Sequence, residues 1–199
     1  MPFSYSSQLS TIVGFAERLQ PAAVLDVGVG MGQYGFLLRN NLENINLFKI
    51  DGSHGIQRSK DEWKVRIDGI EGCPVYFTPV HDYAYNRMLV GDAIEQLATL
   101  PAASYDLVLA IDILEHFEKA QGYKFLQACQ RVSRGAVLIS TPLDFHEQEV
   151  EANPLENHRS HWVKSDLQQS NFRGFLPSDQ SLIAVSWHGS LPPPAAIPD

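Results

Sequence analysis

The side chains of this sequence best placed for chemistry are four acids, Asp26, Asp51, Asp92 and Asp112, and three histidines, His116, His158 and His161. Asp26 stands inside the apolar run Val24-Leu25-Asp26-Val27, which breaks at once into Gly28, Gly30, Gly32 and Gly35. Glycine supplies backbone angles that side chains forbid and leaves no Cβ in the way of a ligand. A helix beginning near Phe36 would aim its free N–H groups back at that turn, so the turn suits a nucleotide-like ligand. Gly30 to Gly35 also fits the G-x-G-x-x-G dinucleotide fingerprint. A carboxylate at position 26 would repel a pyrophosphate, however, and would suit a ligand carrying an ammonium and a sulfonium.

The other acids fall where predicted strands end. Asp51 closes the stretch Asn46 to Ile50, roughly twenty residues beyond the glycine turn, where an acid accepts hydrogen bonds from both ribose hydroxyls. Asp51-Gly52 is equally an ordinary turn signal. Gly91-Asp92-Ala93 follows a strand over Arg87 to Val90, and Asp92 can also cap the next helix. Tyr105 to Ile111 is an apolar strand leading into Asp112-Ile113-Leu114-Glu115-His116. Asp112 and His116 should then face the cleft at the carboxyl end of the sheet, where open α/β folds bind ligands. The Asp, Glu and His of this segment could hold a metal, but ligands so crowded in sequence need a helix to fan them out and no remote partner is evident, so no metal is expected. His116 also reads as a helix-start histidine bonded to backbone.

Around these residues the chain alternates strands and helices. Ser6 or Ser7 caps a helix within residues 1–20 carrying Leu9, Ile12, Val13, Ala16 and Leu19, which packs on the sheet or roofs the site; Pro21 stops it. Residues 53–86 are longer than a usual connection and rich in aromatics, and read as an insertion that covers the site, mediates self-association or packs over the sheet edge. A helix from Gln121 to Arg134 precedes a strand over Ala136 to Ser140. The polar stretch from Leu143 to Lys164 is a long loop at the active end of the sheet, and a hairpin of Phe172 to Leu176 and Ser181 to Trp187 completes the sheet. Residues 190–199 form a proline-rich tail, which leaves residues 1–189 as one domain.

Composition narrows the function classes. The 199 residues hold 15 Lys and Arg against 23 Asp and Glu, a net charge of -8, which argues against loose binding to nucleic acid or an anionic membrane. Cys73 and Cys129 suggest neither a disulfide framework nor a zinc knuckle. With no leader-like N-terminus and no long apolar run, a cytoplasmic protein is expected.

The D-x-G-x-G-x-G pattern of residues 26–32, the acid at Asp51, Gly-Asp-Ala at 91–93 and the Asp112 to His116 segment resemble, in type and order, the motifs of class I S-adenosylmethionine (SAM)-dependent methyltransferases, in particular type 11 and type 12 members. The resemblance covers roughly residues 20–187. It implies an α/β fold, a three-layer doubly wound Rossmann-like sheet of seven strands with the last antiparallel, and SAM as cofactor. It implies cofactor contacts at Asp26, Gly28, Gly30, Gly32, Asp51, Gly52, Asp92, Ala93 and Asp112, with Asp92 on the adenine amino group and the Asp112 segment under the methionine part. With no Asp-Pro-Pro-Tyr-like turn, no Pro-Cys nucleophile and no separate recognition domain, the expected reaction is O-methylation of a small-molecule or carbohydrate acceptor. A hydroxyl acceptor needs a base, and histidine titrates nearest neutrality. His158 and His161 lie three apart, on one face if helical; with the loop over the acceptor side they rank above His116. The alternatives are an NAD(P)-binding oxidoreductase and a SAM-binding protein without turnover; a homodimer is possible.

Overall fold

The computed structural model describes residues 4–188, so the proline-rich segment 190–199 lies outside the described residues. Its strands are β1 (Ala23–Val27), β2 (Phe48–Asp51), β3 (His54–Gln57), β4 (Arg66–Glu71), β5 (Arg87–Val90), β6 (Tyr105–Ile111), β7 (Ser133–Pro142), β8 (Gly174–Leu176) and β9 (Ser181–Trp187). Its α-helices are α1 (Leu9–Leu19), α2 (Gln33–Glu43), α3 (Pro79–Ala84), α4 (Ala93–Thr99), α5 (Lys119–Val132) and α6 (Lys164–Gln169).

Seven strands form one sheet in the spatial order β5, β4, β1, β6, β7, β9, β8. Only β9 runs against the rest, pairing antiparallel with both β7 and β8. Strand β6 shows why the sheet is central: all seven of its residues are buried. Leu107 and Leu109 join Ile12, Phe15, Ala16 and Leu38 on one face, while Val108 and Ala110 join Phe125, Leu126 and Cys129 on the other. A parallel strand covered by helices on both faces is a continuous apolar run rather than an alternating one. This is the expected three-layer architecture. The direction of winding reverses between β1 and β6, and the crevice at their carboxyl ends is where such folds bind ligands.

The sheet differs from the sequence reading in one strand. The neighbour of β1 is β4, in register from Ala23 against Arg66 to Val27 against Ile70. The expected second strand, Asn46 to Ile50, is instead largely β2, which pairs antiparallel with β3 in a separate two-stranded hairpin. Asp51 pairs with His54 across the turn residues Gly52 and Ser53, and Gly52 has φ +61°, so Asp51-Gly52 is a hairpin turn. The physical reason is burial. In β4 every residue after Arg66 is buried, whereas β2 and β3 are almost wholly exposed, with Ile50 at 79%. Residues 53–86 are therefore no insertion as a whole, since 66–71 belong to the sheet; the extra length lies before β4.

Of the two roles open to the N-terminal helix, the structure shows packing on the sheet. Ile12, Phe15 and Ala16 of α1 enter the core, while Gln8 just before it reaches the carboxyl end of β6. Among the described residues no helix is long and apolar enough to cross a membrane.

Candidate active site

A cavity of about 460 Å3 opens at the carboxyl ends of β1, β4 and β6. The glycine turn forms its floor, and three of its glycines adopt the left-handed region: Gly28 at φ +76°, Gly30 at +52° and Gly32 at +80°. Gly28 and Gly30 line the cavity, but Gly32 does not; it is the residue at the N-terminus of α2.

The turn is held from β4. The Gly28 N–H donates to Ile70 O at 2.9 Å and the Gly30 N–H to Glu71 Oε2 at 2.8 Å. Glu71 ends β4, lines the cavity, and accepts a second N–H from Cys73 on Oε1 at 2.8 Å. Burial pushes its pKa up, while the N–H groups of Cys73 and Gly30 oppose that rise. Glu71 thus occupies the strand-end position that the sequence reading gave to Asp51, and Asp51 and Gly52 lie on the exposed hairpin, outside the cavity. The signal was present as Ile70-Glu71-Gly72, a second acid-glycine pair behind an apolar alternation, but farther along the chain than the usual spacing. His81 adds a further anchor that sequence reasoning missed. Its Nδ1 accepts from the Thr78 N–H at 3.0 Å, which leaves Nε2–H to donate to Gly30 O at 2.9 Å.

Asp26 faces away from the cavity. It is 2% exposed and accepts a hydrogen bond from Tyr85 Oη at 2.6 Å. A Cβ on Gly35 would lie 2.1 Å from Tyr85 Cζ, so that glycine gives the phenol its room. The expected direct contact of Asp26 with ligand is thus replaced by a buried link between β1 and the C-terminal end of α3, because its side chain leaves the strand on the α2 and α3 side. Desolvation raises its pKa from 3.8 to about 6, Tyr85 opposes the rise and the nearby Glu71 charge adds to it. The folded state therefore holds the proton more tightly than the unfolded chain, and stability falls as pH rises from about 4 through about 6. Two units at about 1.4 kcal/mol each place the cost above that window at up to roughly 3 kcal/mol. Asp26→Asn is expected to melt at a higher temperature than the parent near pH 7.5, with the difference gone near pH 4; thermal melts at both pH values check it.

On the opposite wall, Asp112 at the end of β6 has φ +48°, an uncommon conformation for a residue with a side chain. Gln8 Nε2 donates to its Oδ2 at 2.7 Å and Ser140 Oγ to its Oδ1 at 2.7 Å. Gln8 is fully buried, and its Oε1 has no hydrogen-bond partner among the described residues. Asp92 lines the cavity and caps α4 by accepting the Glu95 N–H at 3.0 Å, so both roles weighed for it are geometrically open; Ala93 lies beside it.

The histidines divide differently from their ranking. His116 and His158 line the cavity with ring centroids 5.2 Å apart. His116 Nδ1 donates to Asn157 O at 3.2 Å and His158 Nδ1 to His146 O at 2.7 Å, so each neutral ring keeps Nε2 unprotonated. Burial lowers the His116 pKa, with the Asn157 carbonyl opposing. Residues 157–163 are not helical, so the spacing of three does not put His158 and His161 on one face. His161 is exposed, hydrogen-bonded to Leu143 O at 3.0 Å, and faces a small outer cleft beside Phe145 rather than the main cavity. Glu115, adjacent to His116, is 3% exposed, and burial with the Asp112 charge pushes its pKa well up. The loop is tied over the site by Tyr76, whose Oη donates to Glu156 at 3.1 Å and accepts from Asn153 at 2.7 Å.

A family model for a methyltransferase domain matches residues 25–140, and the chain belongs to that family. The fold recurs in a SAM-dependent methyltransferase from Archaeoglobus fulgidus, at 14% identity and TM-score 0.57 over 90% of this chain and 91% of that one. It recurs in the N-terminal domain of EvdMO1, solved with S-adenosylhomocysteine (SAH) and D-fucose, at 18% identity and TM-score 0.57 over 94% and 84%. A third similar structure is the 1,6-didemethyltoxoflavin-N1-methyltransferase of Burkholderia thailandensis, with its substrate and SAH bound, at 14% identity and TM-score 0.64 over 93% and 79%. No curated protein matches the sequence. The protein is a class I SAM-dependent methyltransferase, with SAM as its cofactor.

Proposed function

We propose that the enzyme methylates a hydroxyl of a small polyhydroxylated acceptor, such as a carbohydrate. The observation that carries this reading is the pair of cavity-facing imidazoles, His116 and His158, each with Nδ1 on a backbone carbonyl and Nε2 free. A hydroxyl must lose its proton near the moment of attack, and an amine acceptor has less need of such a pair. The D-fucose in the EvdMO1 structure supports a sugar-like acceptor.

SAM supplies a methyl already activated by positive sulfur, so this chain contributes chiefly alignment and proton handling. Gly28 and Gly30 let the backbone approach the ligand, and Glu71 accepts from the ribose hydroxyls. Asp92 and Ala93 sit at the adenine end. Asp112, oriented by Gln8 Nε2 and Ser140 Oγ, receives the methionine ammonium. The carboxylates of Glu71, Asp92, Asp112 and Glu156 around one cavity suit a cationic ligand. In the transfer an acceptor oxygen–carbon bond forms, the carbon–sulfur bond breaks with its electrons left on sulfur, and the hydroxyl proton leaves through the imidazole pair.

SAM and SAH are expected to raise the melting temperature, by about 2.7 kcal/mol of stabilisation at a hundred times the dissociation constant, whereas NADH does nothing. SAH release is then followed with monosaccharides, catechols and primary amines offered as acceptors. Release with amines alone would overturn the hydroxyl reading.

A further inference from the structure

We propose that Glu115, His116 and His158 form a site for one divalent transition-metal ion on the acceptor side of the cavity. Each offers one ligand atom, and the three atoms all lie within 4.8 Å of one another. A metal holding nitrogen and oxygen ligands at about 2.1 Å places them roughly 3 to 4 Å apart, so side-chain shifts of about an ångström close the sphere.

Two further observations point to a ligand. Glu115 is 3% exposed, yet its Oε2 has no hydrogen-bond partner among the described residues. A buried carboxylate oxygen without a partner is costly, and a cation offsets that cost. Both imidazoles, moreover, spend Nδ1–H on backbone carbonyls, Asn157 O at 3.2 Å and His146 O at 2.7 Å. That is the arrangement by which metal-binding histidines are fixed in tautomer and orientation, leaving Nε2 for the ion. Asp112 lies outside this cluster of three.

Two imidazoles and one carboxylate suit zinc, manganese, iron or cobalt rather than calcium. All three residues line the cavity, and three protein ligands leave coordination positions open, as in catalytic rather than structural sites. Those positions would take adjacent oxygens of an acceptor, which makes a vicinal diol the favoured acceptor class. With the ion bound, Nε2 of both imidazoles serves as ligand in place of the base, and a hydroxyl held there loses its proton to solvent water more readily; its oxygen then attacks the methyl as the carbon–sulfur bond breaks. This use of the ion rests on the hydroxyl-acceptor reading above; uptake of the ion does not.

The probe is Co2+, titrated into the chelator-treated full chain and followed by its visible absorption bands and by calorimetry. Saturation at one Co2+ per chain is expected, with displacement by Zn2+. Glu115→Gln and His158→Gln should each weaken Co2+ at least about tenfold. His158 lies in irregular backbone, so its variant should keep the parental melting temperature and SAM affinity. No saturable Co2+ uptake by the parent, or parental affinity in the folded His158→Gln variant, overturns the site. One Co2+ per chain without SAH release on any hydroxyl acceptor keeps the site and removes the O-methylation reading. Chelator-insensitive methylation of a hydroxyl with no Co2+ uptake does the reverse.

Discussion

Glu71→Ala should weaken SAM binding at least about tenfold, since hydrogen bonds to a charged group are worth roughly 1.5 to 3 kcal/mol each. Asp51→Ala should leave the affinity at the parental value. The contrast follows from position: Glu71 ends the strand beside β1 and lines the cavity, whereas Asp51 turns an exposed hairpin. Glu71 also holds the Gly30 N–H, so its loss frees the glycine turn as well as removing the proposed ribose acceptor, and the effect exceeds that of one hydrogen bond. Calorimetric titration of both variants with SAM and SAH separates these outcomes. Weakened binding in Asp51→Ala with parental binding in Glu71→Ala would put the ribose on the hairpin side.

His158→Ala should lower turnover by about 100-fold or more with SAM affinity unchanged, because on the proposed reading it removes a group on the acceptor side rather than one that holds the cofactor. His161→Ala should stay near the parental rate. His161 spends its Nε2–H on Leu143 O and looks into the outer cleft, while His158 stands 5.2 Å from His116 across the main cavity. Steady-state SAH release with a responsive acceptor, alongside SAM titration, checks both. Equal losses in the two variants would show that the loop as a whole, and not one imidazole, sets the rate.

The alternation of apolar runs with helical periodicity was enough to read the layered α/β fold, the glycine turn after β1, the strand ending at Asp112 and the antiparallel end of the sheet. Each of these is a local pattern whose burial is written into the run itself, as the seven buried residues of β6 show. Asp92 and Asp112 were legible for the same reason, since each directly follows a strand on its cavity side or a turn of one residue beyond it.

Which strand lies beside β1 was not local. Phe48–Asp51 and Arg66–Glu71 both end in an acid before glycine, and only the packing of Ile67 and Ile70 into the two faces of the sheet decides between them. The same holds for Asp26, whose place in the pattern suggested a ligand contact but whose side chain leaves β1 on the face where Tyr85 waits. His158 shows the third kind of gap. Its neighbour in sequence, His161, made a plausible partner if the loop were helical. The irregular backbone of 157–163 instead carries it against Glu115 and His116, more than forty residues earlier. Spacing along a chain predicts contacts only where the backbone is regular, and a site closed by a loop depends on where tertiary packing brings that loop down.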